Sequence, residues 1–117
     1  MAGVYGEINS RADFHRVLGE ATATVRGMLA ASPRNPVMER IQKQLQAMAR
    51  WTENRREPTE SERRNIDVSL IAARELAEDG ETGKLAERLS CLNNYFEDWP
   101  TDEEARSATD DDFFEDE

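Results

Sequence analysis

Apolar residues recur at every third or fourth position from Phe14 to Leu29. Phe14, Val17, Leu18, Ala21, Val25, Met28 and Leu29 make one stripe, the pattern of a helix with a single buried face. Asn9 and Ser10 stand before it as N-cap candidates, and Asp13 falls in the first turn, where a carboxylate complements unpaired backbone N–H groups. Gly19 and Gly27 weaken the helix by about 1 kcal/mol each relative to alanine, and leave room for a close neighbour. The run ASPRNP then breaks the chain. Asn35 caps a second helix with Pro36 at its first position, and Val37, Met38, Ile41, Leu45, Met48 and Ala49 form its stripe, with Trp51 off the main line.

After ENRREP, the residues TESE place Thr59 and Glu62 at capping-box spacing, so hydroxyl and carboxylate each satisfy an orphan N–H. A third stripe follows in Ile66, Ser69, Leu70, Ala73, Leu76 and Ala77, widened by Val68 and Ile71, with Gly80 as its C-terminal cap. The last helix starts near Thr82. Leu85, Leu89, Leu92 and Phe96 fall on one line, flanked by Ala86, Tyr95 and Trp99, and Pro100 stops it. Alternating strand patterns and internal repeats are absent. Short connections between helices favour antiparallel neighbours. The expected fold is all-α, a compact three- to four-helix bundle over residues 1–100 with an acidic tail over 101–117.

Charge sharpens that division. The formal net charge is −10, yet residues 1–100 hold 16 acids and 14 bases, whereas residues 101–117 hold nine acids against Arg106 alone. A nearly neutral body with an acidic end argues against nucleic acid or an anionic membrane as the main partner. The opening MAGVYGEINS has no basic run leading into an apolar one, and no stretch approaches the ~20 apolar residues of a membrane span. Cys91 is the single cysteine, which excludes an internal disulfide and fits a cytoplasmic location.

Catalytic constellations are hard to build from these residues. His15 is the only histidine, and a general base needs an orienting group and a pocket that nothing nearby specifies. Cys91, between Ser90 and Leu92, has no neighbour that would lower its pKa, so a small buried residue is expected. The DDD run lacks the alternating ligands and turn glycine of a calcium loop. One His and one Cys do not make a zinc site, and GETG is not part of a phosphate-cradling motif. No enzyme, no metal and no cofactor are expected.

Binding chemistry is better represented. Residues 34–64 carry eight bases and five acids, Trp51 stands beside Arg50 and Arg55, and YFEDWP combines three aromatics with two acids. Aromatic and Arg side chains are enriched at interface hot spots. The closing DDDFFEDE sets Phe113 and Phe114 among six acids with no base. It suits either a solvated tail or a contact with something basic and apolar, a partner or this protein's own basic turn.

The pattern from Pro33 to Tyr95 carries a resemblance. It comprises a Pro-containing turn, IQKQLQAM (Ile41 to Met48), a polar turn, IDVSLIAARELAE (Ile66 to Glu78), an acidic turn and a final helix with Leu85 and Leu89. Lys43-Gln44-Leu45 and Ile71-Ala72 followed by Glu75 carry most of it. This segment resembles a small all-helical family of bacterial immunity proteins that protect against an NAD(P)+-degrading effector delivered by type VI secretion. The acidic ending departs from that pattern and the opening helix is only loosely comparable. The resemblance implies neutralisation by binding: the immunity protein sits over the active site of a cognate protein toxin. The expected toxin contacts are aromatics and acids near exposed ends: Trp51, Glu75, Asp79, Glu81, Tyr95, Asp98, Trp99, Asp111, Asp112, Phe113 and Phe114. Alternatives are a helical adaptor or secretion chaperone, an acidic nucleic-acid mimic, and a homodimer that pairs through an exposed stripe; monomer and homodimer both remain open.

Overall fold

The computed structural model describes residues 5–76 and 80–106. Among the described residues the main α-helices, in chain order, are α1 (Arg11–Ala31), α2 (Pro36–Trp51), α3 (Glu60–Arg64), α4 (Val68–Glu75) and α5 (Gly80–Asp98), with a 3₁₀ turn at Glu53–Arg55. The fold is all-α, and no strand occurs among the described residues. α1 packs on α2 and α5, α4 packs on α5 and α2, and α3 rests on α5.

The caps form as their chemistry demands. The Ser10 hydroxyl accepts from the Asp13 N–H at 3.1 Å, and the Asp13 carboxylate accepts from the Asn9 N–H at 3.0 Å. Asn35 accepts from the N–H groups of Val37 and Met38 at 3.0 and 3.1 Å, with Pro36 in the first turn. Thr59 and Glu62 complete a capping box, and the Arg56 guanidinium grips the same Glu62 carboxylate through two bonds of 2.9 and 2.8 Å. The α1 stripe buries Phe14, Val17, Leu18, Ala21 and Val25 against Met38, Ile41, Leu45 and Met48 of α2 and Leu85, Leu89, Leu92, Tyr95 and Phe96 of α5.

The third stripe departs from expectation. One continuous helix through Ile66 and Leu76 is replaced by α3 and α4, separated at Asn65–Asp67. Two amides from elsewhere hold the break. The Gln44 side chain on α2 accepts from the Asp67 N–H at 2.9 Å and donates to its carboxylate. Buried Asn93 on α5 accepts from the Ser69 N–H at 2.9 Å and donates to the Ile66 carbonyl at 3.2 Å. Asp67, at the N-cap of α4, makes no capping bond of its own, so Asn93 serves as a cap supplied from another helix. Restarting the helix at Val68 rotates its buried face. Val68, Ile71 and Ala72 turn inward, and Leu70, expected in the core, is 52% exposed.

Two end segments fold back on the body. Tyr5 and Ile8 are buried, and Tyr5 donates to the Asp98 carboxylate at 2.7 Å. Residues 102–106 form a helical turn in which Asp102 accepts from the Arg11 N–H at 2.9 Å and Ala105 is fully buried. Gly6 makes the first return possible: its φ of +58° is left-handed, and a Cβ there would lie 2.6 Å from the Cys91 sulfur. Gly6→Ala is therefore expected to destabilise by about 1–3 kcal/mol, combining the backbone penalty with overpacking. In denaturant melts, Cys91→Ala on that background should recover part of the loss and leave the backbone share.

Candidate functional site

Four of the expected contact residues meet at one end of the bundle. Trp51 closes α2 half-buried, its ring 6.3 Å from Phe96. Trp99 follows the last residue of α5 with φ +42°. A tryptophan thus takes the left-handed position at the helix end that is more often given to glycine, and Pro100 prevents the helix from continuing. Its N–H still closes on the Tyr95 carbonyl at 2.7 Å. The indole meets Phe14, Tyr95 and Phe96 edge-on at 5.4, 5.7 and 5.9 Å, contacts that hold a residue in a conformation disfavoured for bulky side chains.

Tyr95, which the sequence left open between core and surface, is placed by the structure. Its side chain is wholly buried between Tyr5 and Phe14, so the ring belongs to the core. Asp98 is exposed and already accepts from Tyr5. Glu75 is exposed elsewhere, in a cleft of about 360 Å³ between α2 and α4 lined by Arg40, Lys43, Gln44, Asp67, Leu70 and Arg74. Asp79 and the tail residues Asp111, Asp112, Phe113 and Phe114 lie outside the described residues, as does the Glu81 side chain.

Arg11, absent from the expected set, organises the tryptophan end. Its guanidinium lies 3.8 Å from the Trp99 ring centroid and donates to the Tyr95 hydroxyl at 2.5 Å and to the Pro100 carbonyl. A desolvated cation on an aromatic face contributes about 1–2 kcal/mol. Beside it, Arg11, His15, Arg55, Arg56, Glu57 and Trp99 line a cleft of about 470 Å³. Asn54 and Arg55 both have positive φ, 56° and 67°, which turns the chain sharply after α2. The sequence signal for this arrangement was the basic run around Trp51; the far-off Arg11 carried none.

The groups that titrate give no sign of catalytic tuning. Burial, then the nearby Arg11 charge, holds His15 below its ordinary value. Burial, then Glu87 and Glu7, pushes the Cys91 thiol up, away from the thiolate a nucleophile needs. Burial raises Tyr5, reinforced by its bond to Asp98, and burial raises Tyr95 against the opposing effect of Arg11. Both phenols hold their protons more tightly folded than unfolded, so their contribution is present below the unfolded value near 10 and is lost as pH rises. Stability is expected to fall above about pH 10, and Tyr5→Phe should lose part of that fall in melts across this range. Among the described residues, no group of three His, Cys, Asp or Glu could hold a metal ion, and no helix is long and apolar enough to cross a membrane.

The described residues make a small all-α protein, its helices capped and packed around an aromatic end with two charged clefts on the outside. Its sequence supplies the family: the Tsi6 model matches residues 14–98, and the chain belongs to this family of type VI secretion immunity proteins. No match was found among curated proteins or among solved structures. Family membership points to a non-enzymatic role and implies an effector as partner.

Proposed function

We propose that this protein neutralises a cognate type VI effector by binding over the effector's active-site cleft and excluding its substrate, and that the effector degrades NAD(P)+. The match to the immunity family over residues 14–98 carries the reading. A cleft that accepts a phosphate-bearing dinucleotide is positively charged, and acids of this protein stand in for the phosphates. Asp98 and Glu75 are exposed for that role, joined by Asp79, Glu81, Asp111 and Asp112. Trp51 and Trp99 supply large, rigid contact area, with Phe113 and Phe114 as further anchors, so that charge speeds encounter and buried aromatics slow release.

The test is neutralisation of the effector by full-length protein whose acids at these positions are replaced by the matching amides. Asp98→Asn still accepts from Tyr5, so the fold is kept. Association is expected to slow at least tenfold and to lose most of its salt dependence. Neutralisation at the wild-type rate would discard phosphate mimicry and leave the immunity role itself standing.

A further inference from the structure

The cleft beside Trp99 contains donors that the described residues leave unused. Arg11 has hydrogen bonds to a phenol and a carbonyl but, among the described residues, no carboxylate on its guanidinium. Arg55 has no ion pair among the described residues, whereas Arg56 is already held by Glu62. The Trp99 indole nitrogen is buried without a hydrogen-bond partner among the described residues. Glu57 is the one acid on the lining. An occupant with carboxylates and an apolar group would pair with the guanidinium groups and cover the exposed part of the ring.

The chain carries such a segment close by. Asp102 is bonded to the backbone of Arg11, Ala105 is buried, and Thr101 and Glu104 cap the turn reciprocally at 3.1 and 2.9 Å. The described residues thus end at Arg106, in a turn tied to Arg11 of the cleft. Residues 107–117 hold six acids, no base and the Phe113–Phe114 pair. Eleven residues reach up to about 35 Å when extended, and a short tether gives an effective concentration in the millimolar range. The cleft between α2 and α4 has a similar charge balance, with Arg40, Lys43 and Arg74 against Asp67 and Glu75. Proximity favours the Trp99 cleft, since Asp102 is bonded to Arg11 on its lining.

We propose that residues 107–117 dock in the Arg11–Arg55–Trp99 cleft of their own chain, the carboxylates of Asp110–Asp112 meeting the guanidinium groups and a phenylalanine covering the indole edge. The protein would then mask its most basic aromatic surface with its own most acidic segment. This inference concerns the free protein: Asp111, Asp112, Phe113, Phe114 and Trp99 would meet an effector only on release of the tail, and its test needs no effector.

Two-dimensional NMR of the full-length protein tests it. Asp110, Asp111 and Asp112 are replaced together by Asn, and separately Arg55, an exposed residue, by Glu. The triple substitution is expected to move the Trp99 indole N–H and the Arg55 amide resonances, leaving Lys43 and Leu70 in place. R55E is expected to move the amides of Phe113 and Phe114. Raising ionic strength to ~1 M, where the Debye length is about 3 Å, should move the wild-type indole resonance in the direction of the triple variant. Unmoved Trp99 and Arg55 resonances would overturn the proposal, as would movement at Lys43 and Leu70 in their stead. Perturbations that vanish on dilution would place the tail of a second copy in the cleft and equally refute docking within one chain.

Discussion

Phe14→Ala is expected to destabilise the protein by about 3–5 kcal/mol, a large part of the roughly 5–15 kcal/mol that holds a domain together. Phe14 is fully buried and its ring centroid lies 5.3 Å from Tyr95, 5.4 Å from Trp99 and 6.3 Å from Phe96. With the His15 ring at 5.3 Å as a fourth neighbour, no other side chain among the described residues meets as many rings. Truncation leaves a cavity where α1 meets α5 and removes the wall against which Trp99 is held in its left-handed conformation. The cost therefore includes lost burial, an unfilled void and a freed tryptophan. Phe14→Leu, which keeps most of the volume, is expected to cost much less, about 1–1.5 kcal/mol. Thermal melts of the two variants measure the difference. The alanine variant should also show Trp99 fluorescence shifted toward that of a solvated indole before the main transition.

Asn93→Leu is the second large effect, about 3 kcal/mol from two buried backbone groups stripped of partners. Asn93 is 4% exposed and serves the Ser69 N–H and the Ile66 carbonyl at once. Leucine fills similar space and satisfies neither. The loss concentrates at the α3–α4 break, so hydrogen exchange at the Ser69 amide should accelerate more than exchange in α1 or α2. Asn93→Asp keeps the acceptor for Ser69 but brings an ionisable group into the core. Burial raises a carboxyl pKa, so its deficit should be smaller in acid and grow as pH rises through the carboxylate range. Equal deficits at both ends of that range would contradict the buried, donor-and-acceptor role assigned to the asparagine.

These two residues show what was legible in the sequence. Phe14 sits at the head of a clean helical stripe, and its burial followed from spacing alone, as did that of Ile41, Leu45, Leu85, Leu89, Leu92 and Phe96. The caps at Ser10, Asn35 and Thr59 were equally visible, because their partners lie within three residues. The break at Asn65–Asp67 was not. Nothing local forbids a continuous helix through Ile66 and Leu70, and the break is held by Gln44 and Asn93, 23 and 24 positions from the groups they serve. The exposure of Leu70 follows from that break and was hidden with it. The site divides in the same way: Trp51 and Trp99 were identified as candidates from composition, but Arg11 lies 88 positions before the ring it covers. Spacing left Tyr95 open between core and surface, because the ring that covers it, Tyr5, folds back over α5 from 90 positions away.

The central claim is neutralisation by occlusion, and a stoichiometric titration tests it most directly. NAD(P)+ consumption by the purified cognate effector would be followed as full-length protein is added, with binding measured on the same samples at low and high NAD(P)+. The account predicts that activity falls to zero at one equivalent and that rising NAD(P)+ weakens binding. Tight binding that leaves NAD(P)+ consumption intact would contradict it.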